Sequence, residues 1–145
     1  MLSLRRLRLS SAFGQAMNIL YDEVIRRFPE VRSRISEGNE ELPYVVVGEI
    51  VYWLSSLRPA DINAGLIERV VAFRDWCETQ SRGEDAGDDI LTIYVVSFFE
   101  KLFRHETTRL LIPHLTPKSE LLKNQDYLKS WVEEKDFKDV LSKYQ

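Results

Sequence analysis

The stretch PYVVVGEIVYWLSSL, residues 43–57, decides the fold. Val45, Val46 and Val47 are β-branched and favour a strand by propensity. The length of the segment favours a helix, and Val47, Ile50, Val51 and Leu54 share one helical face. Pro43 suits the first helical position, where its missing N–H is no loss. A lone strand needs a partner, and no second segment of the chain offers one. The spacing therefore predicts a helix over residues 44–57 and an all-α chain.

Upstream, Ser10 or Ser11 can cap a helix running to about residue 28, with Phe13, Met17, Leu20 and Val24 as its apolar stripe. Pro29 ends or kinks it, a short helical turn follows to residue 35, and Gly38 and Asn39 break the chain. Downstream of Pro59, Asp61 or Asn63 caps a third helix to about residue 80. Leu66, Val70, Phe73 and Cys77 face its core side, while Glu68, Arg69, Asp75 and Glu78 point outward. SRGEDAGD, residues 81–88, is an acidic loop. Asp88 or Asp89 caps the next helix, residues 90–103, which is apolar in nearly every direction and is expected at the centre. A short helix over 105–111 ends before Pro113, and Thr116 caps another with Pro117 at its first position. Asn124 and Gln125 interrupt that helix, and a last one uses Phe137, Val140, Leu141 and Tyr144. The expected architecture is one domain over residues 10–145 with roughly six or seven helices. HEAT-like antiparallel pairs of successive helices are one arrangement that fits.

The chain has 145 residues, enough for one domain with a real core. A single cysteine, Cys77, excludes an internal disulfide and suits a reducing cytoplasm. No apolar run reaches the roughly 18 residues that span a bilayer, so no membrane partner is expected. Residues 1–9 carry Arg5, Arg6 and Arg8 among four leucines. On a helix, Leu2 and Leu9 would point away from Leu4 and Leu7, so the stretch reads as a basic arm rather than a mitochondrial presequence.

Charge is unevenly spread. Residues 1–36 carry seven Arg against three acids, and residues 37–100 carry thirteen acids against four Arg. Residues 101–145 carry nine Lys or Arg against seven acids. Such an acidic middle disfavours nucleic acid as a partner and matches a basic protein. Trp76 sits beside the acidic loop, off the centre of its helical stripe, where it can serve as a protein-binding anchor. Trp53, Trp131, Tyr44, Tyr52 and Tyr94 are further candidate anchors.

Catalytic and metal signatures are weak. Cys77 with His105 or His114 lacks the ligand number of a zinc site, and Cys77 reads as a small buried hydrophobe. Glu49 and Glu100 each lie inside an apolar helix, but neither is followed by a histidine three residues on, as a di-iron bundle requires. Both are expected to accept hydrogen bonds or pair with Arg. GEDAG, residues 83–87, matches neither a phosphate loop nor an EF-hand. No cofactor or metal is expected.

LPYVVVGEIVYWL (42–54), DDILTIYVVSFFEKL (88–102) and LIPHLTP (111–117) resemble a family of small bacterial helical proteins, the immunity proteins of polymorphic and contact-dependent inhibition toxins. The similarity covers roughly residues 40–117. It implies a cytoplasmic, non-enzymatic protein that binds and neutralises one cognate toxin, in many cases a basic nuclease. The partner-binding residues would be Trp76, Glu78, Glu84, Asp85, Asp88 and Asp89, the acids imitating phosphates. The alternative is a small helical adaptor or regulatory domain without a toxin partner. A third class is an enzyme using Glu49 and Glu100.

Overall fold

Helix α1 spans Ala12–Arg27. The structure, a computed structural model, describes the backbone from residue 12 and side chains from residue 19 to residue 145. The basic arm 1–9, the Ser10 or Ser11 cap, and the side chains of Phe13 and Met17 lie outside the described residues. Leu20, Val24 and Phe28 recur at one-turn spacing and are buried. Pro29 begins a 3-10 turn, Pro29–Arg34, which buries Val31. Gly38, at φ +89°, takes the left-handed conformation that glycine adopts without a Cβ penalty.

Helix α2 is Pro43–Ser55, with Pro43 in its first turn. It buries Val46, Val47, Ile50, Val51 and Leu54. Burying each such side chain is worth about 1.5–3 kcal/mol, against a β-propensity scale spanning about 1 kcal/mol. Tertiary burial therefore outweighs the strand preference of the valines. Helix α3, Ala64–Thr79, is capped by Asn63, whose Oδ1 accepts the Leu66 N–H at 2.9 Å. Asp61 serves the preceding turn instead, accepting the Arg58 N–H at 3.0 Å. Leu66, Val70, Phe73 and Cys77 are buried, as their spacing predicts. Arg69 ties α3 to the end of α1: it pairs with Glu30 at 2.6 Å, donates to the Arg27 carbonyl at 2.9 Å and lies over the Phe28 and Trp53 rings.

Helix α4 is a single rod made of Ile90–Tyr94, a π-helical turn at Val95–Phe99 and a last turn at Glu100–Leu102. It lies between α2 and α3. Tyr44 of α2 accepts the Ser97 hydroxyl at its carbonyl, and Gly48 faces Ser97 and Lys101. The Tyr52 ring meets His105 at 6.4 Å. Position advances together on both helices, so α2 and α4 run parallel. Their approach is close: a Cβ at Gly48 would stand 3.0 Å from Lys101 Nζ and 3.3 Å from Ser97 Oγ. Helix α3 is antiparallel to α4, with Phe73 against Phe98 at 5.6 Å and Tyr94 at 6.2 Å. The HEAT-like pairing expected of α2 with α3 thus gives way to α2 against α4, where small residues let the backbones meet.

Beyond α4 the chain folds into short pieces: α5 Glu106–Arg109, α6 Ile112–Leu115, α7 Lys118–Lys123, α8 Gln125–Lys129 and α9 Glu134–Ser142. Pro113 sits in the first turn of α6, and Pro117 precedes α7 while Thr116 closes α6. These breaks bring the described residues to nine α-helices, near the expected six or seven, and no strand occurs among them. Arg109 clamps α9 to the end of α4, bonding Asp139 at 2.7 Å, Asp136 at 3.2 Å and the Phe103 carbonyl at 2.8 Å. No helix among the described residues is long and apolar enough to cross a membrane.

Candidate functional site

The acidic loop joins the C-terminus of α3 to the N-terminus of α4. Asp89, 3% exposed, is its hub and the N-cap of α4. One carboxylate oxygen accepts Arg82 Nε at 2.9 Å and the Gly83 N–H at 2.9 Å. The other accepts Arg82 Nη2 at 2.8 Å, the Thr92 N–H at 3.3 Å and the Thr92 hydroxyl. The Arg82 guanidinium holds the Asp89 carboxyl well below the usual carboxylate range. Burial opposes it, and the Thr92 and Gly83 hydrogen bonds assist.

Asp88 is also buried. It accepts the Asp85 N–H at 3.0 Å, and Asp85 in turn accepts the Gly87 N–H at 2.8 Å. The loop closes so tightly that a Cβ at Gly83 would stand 2.4 Å from Asp88 Oδ1. The Tyr44 hydroxyl donates to the Ala86 carbonyl at 2.7 Å, pinning the loop tip to α2. The loop is thus held in one shape from both sides.

This geometry divides the six predicted partner-binding residues. Asp88 and Asp89 turn inward, because the loop's N–H groups and the first turn of α4 need acceptors there, and Asp89 is paired with Arg82 as well. Glu84 and Asp85 are exposed on the loop, and Glu78 is exposed on the last turn of α3. Arg74 stands 3.9 Å from Glu78 and partly offsets it. Trp76 is half-buried and stacks on Phe73 at 6.4 Å. Two residues along a helix turn the side chain by about 200°, so Trp76 and Glu78 do not share a face.

The other candidates have structural occupations. Cys77 lies in the core, and burial pushes its thiol up to about 12, so it stays protonated near neutrality. Glu100 is buried and accepts the Tyr127 hydroxyl at 2.8 Å. Burial raises its carboxyl, against the Tyr127 hydrogen bond and the nearby Arg104 charge. Glu49 is half-buried near the ammonium of Lys101, which burial and Arg104 lower while Glu49 opposes. Among the described residues, no group of three His, Cys, Asp or Glu side chains could hold a metal ion.

One feature escaped the sequence reading. A cavity of about 570 Å³ opens between the end of α4 and the α8–α9 connection, lined by Phe103, Arg104, Arg109, Trp131 and Lys135 among others. Trp131, one of the candidate anchors in the sequence, stands in its lining and is 63% exposed. Comparison with known proteins finds no matching family model, no matching curated protein and no matching solved structure.

Proposed function

We propose that the protein is a non-enzymatic, immunity-type inhibitor that covers a cognate basic toxin domain with its α3–α4 loop. The carrying observation is a loop fixed by Asp88, Asp89 and Tyr44, which leaves Glu84 and Asp85 outward without ordering anything further on binding. Preorganised binding surfaces lose less conformational entropy on association. Opposite potentials speed encounter at low salt, and screening removes that gain. The contact surface centres on Glu84 and Asp85, with Glu78 or Trp76 at one flank. Asp88 and Asp89 support it from within.

The test is a pull-down with the product of the neighbouring gene, followed by growth rescue and titration calorimetry. Reversing Glu84 and Asp85 to Lys should weaken binding at least about tenfold at low salt while the melting curve holds. Unchanged affinity in the double variant rejects the acidic-loop interface.

A further inference from the structure

We propose that the exposed face shared by α2 and α4 is covered by residues 1–9 of the same chain, with leucines of that arm on the apolar side chains and its arginines on the acids at the rim. This contact needs no partner protein and does not depend on the acidic loop being a toxin surface.

Four of the eight exposed large hydrophobics among the described residues gather on this face: Leu42, Val45 and Tyr52 at the head and along α2, and Val96 on α4. Val45 and Tyr52 follow Leu42 at three and ten residues, which is one side of a helix. Val45 and Val96 flank the hydrogen bond from the Ser97 hydroxyl to the Tyr44 carbonyl, so both helices expose valine where they meet. Apolar side chains gathered in this way mark an interaction surface.

The rim at the head of α2 is acidic, side chain by side chain. Glu40 and exposed Glu41 precede the helix, and the Tyr44–Ala86 hydrogen bond brings exposed Glu84 and Asp85 beside it. The cation of that loop, Arg82, is already held by Asp89 through two hydrogen bonds. Lys101, further down the face, has Glu49 as its opposing charge. The surplus at the head is therefore negative and unanswered by the lining itself.

Helix α1 starts at the same end. Glu30, just past α1, pairs with Arg69, Phe28 meets Phe73 at 5.6 Å, and the charge of Glu23 reaches Cys77, so α1 runs antiparallel to α3. It is thus parallel to α2, and Phe28 meets Trp53 at their far ends. Ala12 accordingly stands at the end that carries Leu42 and the acidic loop. The residues ahead of it hold Leu2, Leu4, Leu7 and Leu9 with Arg5, Arg6 and Arg8, and no acid occurs before Asp22. Residues 1–11, at about 3.3 Å each when extended, reach about 36 Å. The face from Leu42 to Tyr52 is about 15 Å long, at 1.5 Å per helical residue. The chain therefore enters, with reach to spare, beside a surface that matches it in both apolar character and charge.

The test uses the full chain, nitrogen-15 labelled, with Ser3→Cys carrying a nitroxide. Cys77 stays unlabelled, because it is buried and its thiol is protonated near neutrality. The amide signals of Val45, Tyr52 and Val96 should broaden, while those of Gly65 and Glu68 on α3 stay sharp. Reversing Arg5, Arg6 and Arg8 to Glu should reduce the broadening at Val45 at least about threefold, with circular dichroism and melting unchanged. Sharp signals across the face overturn the proposal, as does indifference to the charge reversal. So does equal broadening in a mixture of nitroxide-bearing chain and unmodified nitrogen-15 chain, which would put the arm of a second copy on the face.

Discussion

Residues 80–89 and residues 122–136 are both surface segments rich in charge, yet they use it in opposite ways. In the first, the buried acids serve the loop itself: Asp89 holds Arg82, Gly83 and Thr92, and Asp88 holds the Asp85 N–H. In the second, Asp136 pairs with Arg109 and Lys135 with Glu133, while Trp131 is left open. Charge density along the sequence therefore does not mark the free surface. What marks it is the balance between charges and the backbone groups that need partners. The loop has many unpaired N–H groups and spends carboxylates on them. The C-terminal segment satisfies its backbone within short helices and has side chains to spare.

The widest separation between the two regions should come from Asp89→Ala. It removes a helix cap and leaves the Gly83 and Thr92 N–H groups without their acceptor, and should destabilise the domain by about 1–3 kcal/mol. The sign with pH follows from the lowered Asp89 carboxyl. Its stabilisation is complete above the unfolded carboxylate value of about 3.9 and drains away as pH falls through the lower folded value. Thermal melts at pH 7 and pH 3 should show the gap between wild type and variant closing in acid. A gap that stays constant would mean that the Arg82 pair contributes little.

A smaller effect of opposite sense is expected where the C-terminal segment meets α4. Glu100 is raised by burial, so its contribution is best below the unfolded carboxylate value and is lost as pH rises through the folded one. Glu100→Gln keeps an acceptor for Tyr127 and removes the buried charge. It should stabilise by about 0.5–1 kcal/mol at pH 7 and by nothing near pH 3, read by the same melts. Destabilisation at pH 7 would show that the carboxylate–Tyr127 bond outweighs its burial.

The smallest effect belongs to the exposed side chains themselves. Trp131→Ala should stay within about 0.5 kcal/mol of wild type in urea unfolding, because its ring covers little that is buried. A loss near that of Asp89→Ala would erase the contrast between the regions.

Much of the fold was legible. The one-turn spacing of Leu66, Val70, Phe73 and Cys77, and of Ile50 and Leu54, maps directly onto burial. Local periodicity is set by neighbours a few residues away, so it can be read along the chain. The inward turn of Asp88 and Asp89 was not legible, since it depends on loop N–H groups whose positions exist only after folding. The meeting of Gly48 with Ser97 joins distant residues that no periodicity connects. The Trp131 cavity required knowing where α8 ends and α9 begins, and the helix breaks there are weak in sequence.

The π-helical turn at Val95–Phe99 holds one residue more than an α-helical turn would. Every residue after it is therefore set by an insertion-like step of about 100°. Deleting one residue between Val95 and Phe99 would give a straighter rod, but it would swing Glu100 away from Tyr127 and Leu102 out of the core. Chain length in this turn is thus as constrained as any buried side chain. A lineage of this protein could exchange residues there far more readily than gain or lose one.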